Sequence, residues 1–582
     1  IRRYMANLTP VNAWSALDVQ HFARRAGFGL TPEAASTAAA TDPSSFINAW
    51  IDGGQSSTLF DAVYANRSDV VAINAVDPTA GNAANMLAPA VTSAHGFLCE
   101  GPNTWRNRLS VAQAAWAFRM QYAPDSFRER MSLFWHQFFA TGYDKVQNTA
   151  LMLEQIQLFR DQGLGNFTDL LVAVSKNPAM CVWLDSVSNS AVGSAVPNEN
   201  YAREVLELYS LGVDNGYSQQ DITSLAKALS GWSFYVAASD VVTAPNNVAN
   251  KFAQRGTAVV AQGQTVPAGS LAWFMGALGN NRLPNQHPSS AANATGGSAS
   301  ITFLDRTFNY TVAQAGMVPG EDVLRSITTS RATQCSEYLA ARIIGHFVTP
   351  HFTSQDIQDF GLVIRTNNFN ISASLKVLFK SRFFFDTAHR FALITSPIVW
   401  LVSSCRMLGY SLSEADSLAV KGFPAWRLLV GSSEFDSSTF DNLGLALLDP
   451  AGPNGWGEHD VWVNANMMRY RSYCASAVAL SETYRYGLYQ GSGTSSSQLT
   501  VTLVPTDLNK WFPTVPITSL DVFNRLVNLL QLAPTPTSLR DAWLNALFGG
   551  NGISISLTNP THQTRIRELA FIMMSSPAHQ LH

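Results

Sequence analysis

The segment from Pro197 to Gly212 constrains the fold more than any other stretch of this sequence, because as a helix it would be apolar on nearly every side except one polar stripe. Pro197 suits the start of a helix and Gly212 suits its end. The main polar stripe covers an arc of about 100° on such a helix, and it consists of Asn200, Arg203, Glu204 and Glu207. A helix that is apolar on nearly every side is typical of a protein interior. We therefore expect this stripe to be buried and internally paired.

Helical periodicity recurs along most of the chain and predicts the fold class. The helical stretches include 107–122, 127–139, 151–162, 321–343 and 520–530. Residues 236–315 instead alternate short β-like runs with Gly, Pro, Asn and Ser. We predict a mainly α protein, a large multi-helix domain with irregular and short β-rich insertions. Its N-terminal helical part spans 1–235, the inserted loop-rich and β-rich segment spans 236–315, and the C-terminal helical part of the same domain spans 316–582. We expect the inserted segment to project from the helical core and to contact another chain or a ligand.

The charge content and the length of the apolar runs each exclude one class of protein. Of the 582 residues 46% are hydrophobic and only 14% are charged, and the formal net charge is −3. The chain therefore lacks the basic block of a nucleic-acid-binding protein. It also contains no apolar run of the length that a transmembrane helix needs. The basic residues are 30 Arg and 8 Lys, and because Arg tolerates burial better than Lys we expect many internal Arg–carboxylate pairs.

Two features suggest acid–base chemistry. Glu204 and Glu207 are three positions apart, so on a helix they could share a metal ion or a proton. The alternative is a structural network in which they neutralise Arg203. His136 lies in the aromatic stretch MSLFWHQFF, which predicts a buried imidazole. It is either a hydrogen-bonded core histidine or the acid–base partner of Glu204 or Glu207.

A second candidate site lies in the stretch HFARRAGFG, which contains His21, Arg24 and Arg25. Turn glycines beside two guanidinium groups form a plausible anion site. The alternative is that Arg24 or Arg25 caps a neighbouring helix or neutralises a core carboxylate. Because buried charges need partners, we expect Arg24 or Arg25, His136 and the Glu204/Glu207 pair to converge on one polar cluster.

Several stretches together resemble the bacterial DUF1800 family of proteins of unknown function. They are HFARRAGFG at 21–29, RERMSLFWHQFF at 128–139, PNENYAREVLELYSLGVDNGYSQQDITSLAKALSGWSF at 197–234 and LGLALLDPAGPNGWGEHDVW at 443–462. The resemblance implies a mostly helical, exported protein that is periplasmic, on the cell surface or extracellular. It also implies other protein chains as partners, either a DUF1501-like protein or further copies of this chain.

One departure from the family pattern bears on activity. Relatives usually have Trp-His-x-His-Phe in the second motif, whereas this chain has Phe138 in place of the second histidine. If the two histidines form a metal or acid–base pair in relatives, half of that pair is missing here. The chain also has no GxSxG, HExxH, P-loop or GxGxxG motif that would name a cofactor or a metal.

These observations favour an exported structural or assembly protein with a buried Arg/Glu/His cluster. The alternative is an exported hydrolase-like enzyme that acts on glycan or ester substrates. In that enzyme His136 and Glu204 or Glu207 would be the acid–base residues, while Arg203 or Arg24 would hold an anionic group.

Overall fold

A computed structural model describes residues 6–53, 105–146, 149–186, 189, 196–230, 232–237, 259–261, 264–266, 270–275, 298–311, 318–409, 439–480, 484–488, 497–501, 507–514 and 518–582. The helices are α1 (Ala16–Arg25), α2 (Pro32–Ala39), α3 (Pro43–Asp52), α4 (Trp105–Tyr122), α5 (Ser126–Phe138), α6 (Tyr143–Val146), α7 (Thr149–Gln162), α8 (Phe167–Lys176), α9 (Pro178–Trp183), α10 (Asn200–Glu207), α11 (Gln219–Ala228), α12 (Val318–Ser330), α13 (Ala332–Phe347), α14 (Ser354–Thr366), α15 (Ile371–Lys380), α16 (Pro397–Leu408), α17 (Thr439–Asn442), α18 (Ala465–Ala479), α19 (Ser519–Leu530), α20 (Thr537–Phe548) and α21 (Pro560–Ser575). The prediction of a mainly α protein is confirmed.

The strands of the described residues form four antiparallel pairs, each a separate two-stranded sheet. They are β1 (Trp232–Ala237) with β4 (Ser270–Met275), β2 (Val259–Ala261) with β3 (Gln264–Val266), β5 (Ser298–Phe303) with β6 (Arg306–Thr311), and β7 (Tyr484–Leu488) with β8 (Ser497–Val501). Within the described part of the chain, no helix has the length and apolar character needed to cross a membrane.

Local sequence sets many of the helix starts. In four helices a Ser or Thr side chain accepts from the third residue's N–H while an Asp at that position accepts from the cap, the arrangement called a capping box. These pairs are Ser15–Asp18, Ser218–Asp221, Thr353–Asp356 and Thr518–Asp521. Proline occupies the first turn of other helices, where its missing N–H costs nothing; these prolines are Pro32, Pro43, Pro178, Pro397 and Pro560.

Helix α5 belongs to one continuous apolar core that draws on helices from both ends of the chain. The Trp135 ring stacks on Phe139 at a centroid distance of 5.6 Å and on Phe167 at 6.0 Å. The Trp135 indole N–H also donates to the Gly163 carbonyl, at 2.8 Å. Because nearly every α5 residue is buried, the polar side chains of this helix have to find partners inside the protein.

Internal arginines follow two patterns. Glu129, which is 1% exposed, accepts from Arg119 at 2.5 Å and from Arg160 at 2.7 Å, which is the kind of internal pair that the Arg content predicts. Arg406 instead donates to the backbone carbonyls of residues 120, 121 and 123, and Arg25 likewise binds carbonyls. The expected internal Arg–carboxylate pairing therefore describes only part of the buried arginines.

The β5–β6 hairpin packs into the helical core. Ile301 and Phe303 lie on the same face of β5, since side chains alternate along a strand, and both are buried. Leu304 and Asp305 form the turn with φ values of 47° and 65°, and the Leu304 N–H donates to the Asp221 carboxylate of α11 at 2.7 Å. This part of residues 236–315 therefore does not project from the core, contrary to the expectation, because its alternating pattern is that of a half-buried hairpin. Most of the remaining segment lies outside the described residues.

The C-terminal segment runs between α1 and the start of α16. The His582 N–H donates to the Leu393 carbonyl at 2.9 Å, and the Leu393 N–H donates to the backbone oxygen of His582 at 3.2 Å. The Thr395 N–H donates to the Gln580 carbonyl at 2.7 Å. This pairing brings the end of the described chain against the last turn of α1, where Arg24 and Arg25 lie.

Candidate anion site

The polar stripe of α10 lies at the protein surface. Asn200 is exposed, and the Arg203 side chain is 40% exposed. Arg203 pairs along the helix with Glu199 at 3.3 Å and with Glu207 at 3.2 Å. The expectation of a buried stripe is therefore wrong. We expected burial because a helix that continued to Gly212 would be apolar on nearly every side. Helix α10 instead ends at Glu207, and only its apolar face packs against the core.

Of the two carboxylates that could neutralise Arg203, Glu207 forms an ion pair with it, as does Glu199. Partial burial raises the pKa of Glu204, and the neighbouring charge of Glu207 raises it further. The Arg203 charge lowers the pKa of Glu204 but does not offset these two causes. The two carboxylates thus repel each other as their spacing suggests. Among the described residues, no group of three or more His, Cys, Asp or Glu side chains is placed to hold a metal ion.

His136 is a fully buried histidine that serves the packing of α5. Its Nε2 accepts from the Leu448 N–H at 3.1 Å, which fixes Nδ1 as the protonated nitrogen of the neutral ring. The ring contacts Trp116 and Trp456 edge to face, at centroid distances of 5.5 and 5.1 Å. Burial lowers the pKa of His136 to about 3, so the imidazole is neutral at physiological pH.

Phe138 and His136 face different neighbours, as two residues separated by one position on a helix must. The Phe138 ring packs against Tyr338 at a centroid distance of 6.0 Å, and the Arg342 guanidinium lies 5.8 Å from its centroid. A histidine at position 138 would therefore point toward α13 rather than toward the Leu448 side of α5. The departure from the family motif does not remove a partner of His136.

Arg25 caps the end of α13, which confirms the alternative that the sequence left open for it. Its Nη1 donates to the Phe347 and Val348 carbonyls at 3.2 and 2.8 Å. Its Nη2 donates to the His389 carbonyl at 2.7 Å and to the backbone oxygen of His582 at 2.6 Å. A guanidinium at a helix C-terminus satisfies the last carbonyls and matches the negative end of the helix dipole.

The predicted site residues belong to three separate contact networks. Arg24 and Arg25 contact the C-terminal segment, His136 contacts the Leu448 loop, and Glu204 lies beside Glu207 at the surface. Within the described residues no hydrogen bond, ion pair or ring contact joins these groups across the three networks. The single polar cluster that the sequence suggested does not form through such contacts.

A cavity that is open to solvent lies beside α1, and we call it the α1 cavity. It lies between α1, the end of α19, residues 390 and 391, and the C-terminal segment. It is lined by Leu17, Gln20, His21, Arg24, Arg390, Phe391, Val527, Asn528, Gln531, Leu532 and His582. Its lining combines an apolar wall with a few polar groups, as small-molecule sites usually do.

Arg24 is the only one of these lining residues that carries an uncompensated charge. Its guanidinium donates to the Gln531 carbonyl and, at 2.6 Å, to the Leu581 carbonyl. No carboxylate of the described residues lies within ion-pair distance of it. Burial lowers the pKa of Arg24 to about 9. The second cationic wall residue, Arg390, is paired with Asp18.

The two histidines of the cavity wall are neutral. Burial lowers the pKa of His21 well below its usual value, and the charge of Arg25 lowers it further. The His21 Nε2 lies 3.1 Å from the Phe384 carbonyl. Burial likewise lowers the pKa of His582, whose Nδ1 lies 2.6 Å from the Thr395 hydroxyl. The wall therefore presents one net positive charge, which an anionic ligand would compensate.

A second, narrower cavity adjoins the first, because Arg24, Gln531 and His582 line both. Ser404 and His579 lie in its wall, and the Ser404 Oγ is 2.8 Å from the His579 Nε2. The Ser404 hydroxyl also donates to the Trp400 carbonyl at 2.7 Å. Burial lowers the pKa of His579 to about 3, so its imidazole is neutral.

Sequence reasoning identified Arg24 and Arg25 but missed the groups that complete the site. Arg390, Gln531 and His582 come from segments far apart along the chain, and no local motif marks any of them. The one available signal was that Arg24 and Arg25 follow an apolar helix face with no acidic residue after Asp18 on that helix. Charges placed this way need partners supplied from elsewhere in the fold.

The comparisons with known proteins agree with the motifs. The family model "Protein of unknown function (DUF1800)" matches residues 21–581, nearly the whole chain. No curated protein and no solved structure matches it. The matched region begins at His21, inside α1, and includes Arg24, Arg25, α5 and α10. The chain belongs to the DUF1800 family.

Proposed function

We propose that this protein is an exported structural or assembly protein that binds an anionic, partly apolar ligand in the α1 cavity. The observation that carries the proposal is the Arg24 guanidinium, which lines the cavity and has only carbonyl partners. Arg24 is half-buried. A cation that is partly removed from water and has no counter-charge is costly, and an anion bound beside it relieves that cost. The ligand class is a carboxylate or a similar anion attached to an apolar body.

The shape of the cavity supports an amphipathic ligand rather than a bare inorganic ion. Leu17, Val527 and Leu532 provide an aliphatic wall opposite the polar groups. The Phe391 ring lies 5.4 Å from the Arg24 guanidinium carbon and holds it by a cation–π contact. A ligand with an acyl or aromatic body would therefore bury apolar surface while its charged end meets Arg24.

Isothermal titration calorimetry with sodium octanoate and with 1-octanol tests the charge and the apolar wall together. The two probes share their apolar chain and differ in the charged end. We expect octanoate to bind at least about 10-fold more tightly than octanol, which corresponds to one charge-assisted hydrogen bond. Equal affinities, or no binding of either probe, would overturn the proposal.

A matched pair of variants assigns the effect to Arg24. Arg24→Gln removes the charge from the cavity, and we expect it to abolish the preference for octanoate over octanol. Arg406→Gln is the control, since Arg406 is also an internal arginine that donates only to carbonyls and it does not line the α1 cavity. The control should keep the preference, and a preference that survives in Arg24→Gln would contradict the assignment.

The location and the partners of the protein are part of the same proposal. The family resemblance supports a periplasmic, cell-surface or extracellular place, with a DUF1501-like protein or a second copy of this chain as partner. Fractionation of the native cell and light scattering after size exclusion test the two statements separately. Recovery from the cytoplasm, or a monomer that co-purifies with no other chain from its native source, would contradict them.

A hydrolase is the second candidate, because Ser404 and His579 form a hydroxyl–imidazole pair in the adjoining cavity. In an ester hydrolase the Ser404 hydroxyl would first turn its proton from the Trp400 carbonyl to the His579 Nε2, and its Oγ would attack the carbonyl carbon while that proton passes to the imidazole. The proton would then pass to the departing alkoxide, and water would release the acyl group. A base whose pKa is about 3 is weak at neutral pH, which favours the binding role. Labelling of Ser404 by a fluorophosphonate probe would decide for the hydrolase, and absence of labelling would decide against it.

A further inference from the structure

The outer side of α18, together with the short helical turn before it, forms an exposed surface that serves none of the roles described so far. In the described part of the chain, eight large apolar side chains are well exposed, and three of them lie here. These three are Val461, Val463 and Tyr473, with exposed fractions of 56%, 50% and 49%. Apolar side chains that gather in one place, rather than occurring singly, indicate an interaction site.

The local sequence turns these side chains away from the core. Trp462, which lies between the two valines, is buried and 4% exposed. Within α18, Arg471 and Cys474 are buried on the inner side. Arg469 and Tyr473 are both exposed, and because they are four positions apart they share one face of the helix. We call Asp460, Val461, Val463, Arg469 and Tyr473 the α18 surface.

A change in backbone direction places Asp460 on this surface. The preceding acidic residue, Glu458, faces inward, and its Oε1 lies 3.6 Å from the His346 Nδ1. His459 has a φ of 54°, a left-handed conformation that residues other than glycine seldom adopt. Asp460 follows and is exposed. The turn at His459 therefore separates a carboxylate that faces the protein interior from one that faces outward.

The two charges of the α18 surface have no counter-charge within their own chain. Among the described residues, neither the Asp460 carboxylate nor the Arg469 guanidinium has an ion pair or a side-chain hydrogen bond. The two valines lie between these charges along the chain. A surface with an apolar centre and one charge of each sign at its ends is complementary to itself, because a two-fold axis through its middle brings each charge to the opposite one.

We propose that the α18 surface is a homodimer interface, in which two copies of this chain pack their α18 segments antiparallel about a two-fold axis near Asn464. Each Asp460 pairs with the Arg469 of the other copy, and the valines of both copies pack at the centre. This inference rests on the second copy of the chain that the proposed function names as one of two partners, and it says which surface binds that copy. Because one segment from each copy is a small contact, we expect a dissociation constant in the micromolar range.

Sedimentation velocity of the full chain, at concentrations up to about 100 µM, tests the interface by charge exchange. We expect the wild type to dimerise. Arg469→Asp places two carboxylates opposite each other at both ends of the interface, and Asp460→Arg does the same with two guanidinium groups. Each of these variants should dimerise at least about 10-fold more weakly than the wild type.

The double variant Asp460→Arg/Arg469→Asp restores opposite charges across the axis, so it should dimerise as the wild type does. The control is Arg382→Asp, which makes the same charge change at an exposed residue outside the α18 surface and should leave the dimer intact. The substituted residues are exposed, so we expect every variant to keep the far-UV circular dichroism spectrum of the wild type.

A wild type that stays monomeric, or a double variant no better at dimerising than the single ones, would overturn this inference. A dimer that Arg469→Asp and Asp460→Arg leave intact would also overturn it, although a second copy would then remain the partner through another surface. The octanoate titration is independent of these outcomes, since it depends on Arg24 in the α1 cavity.

Discussion

The Nη2 of Arg25 lies 2.6 Å from the backbone oxygen of His582, although 557 residues separate the two along the chain. The same guanidinium caps the end of α13. One buried side chain thus joins the first long helix, a central helix and the C-terminal segment. This junction adjoins the α1 cavity, whose lining includes Arg24 and His582.

Replacing Arg25 by methionine tests the junction. The variant keeps the apolar stem but leaves four buried backbone oxygens without their donor, so we expect a loss of about 3–5 kcal/mol in the free energy of unfolding. The control is Arg203→Met, which removes two surface ion pairs worth at most about 1 kcal/mol. Melting temperatures of the two variants give the comparison, and equal shifts would show that Arg25 is not structurally special.

Glu204 should be slightly destabilising at neutral pH. Its folded-state pKa is raised above the ordinary value of 4.5, so the folded protein binds the proton more tightly than the unfolded chain. The penalty is therefore absent well below that value and complete once the pH exceeds the raised pKa. At pH 7 we expect the free energy of unfolding of Glu204→Gln to exceed that of the wild type by less than about 1 kcal/mol, which gives a slightly higher Tm. At pH 3.5 the two proteins should have the same Tm. A Glu204→Gln variant that melts lower at pH 7 would show that the carboxylate has a stabilising partner.

His136 should be needed for stability as a hydrogen-bond acceptor. His136→Phe leaves the buried Leu448 N–H unpaired, at a cost of about 1–3 kcal/mol, whereas His136→Gln keeps an acceptor and should cost less. The pKa of His136 is lowered to about 3 from 6.5, so its contribution is complete above pH 6.5 and is lost as the pH falls toward 3. Melts of both variants from pH 7 to pH 4 check this. A glutamine variant no more stable than the phenylalanine variant would contradict the role.

The β5–β6 hairpin should behave as part of the core. Phe303 is fully buried, so Phe303→Ala should lower the free energy of unfolding by about 3–5 kcal/mol. Thr302 on the same strand is exposed and provides the control, since Thr302→Ala should change stability by about 0.5 kcal/mol or less. Chemical denaturation measures both changes. A neutral Phe303→Ala would restore the view of this segment as a projecting insertion.

The sequence predicted the mainly α class because helical periodicity depends on local pattern. It predicted burial of the α10 stripe wrongly. Periodicity alone did not show that the helix stops at Glu207, five residues before Gly212. The anion site was predicted only in part. Arg24 is visible in a local motif, whereas the cavity needs Gln531 and His582, which only tertiary packing brings beside it.

A crystal structure with 8-bromooctanoate tests the central claim most directly, because the bromine and the carboxylate locate both ends of the probe. The account predicts a carboxylate within hydrogen-bond distance of the Arg24 guanidinium and a bromine against the apolar wall near Leu17 and Val527. A probe bound elsewhere, or one bound in the α1 cavity with its carboxylate turned away from Arg24, would contradict it.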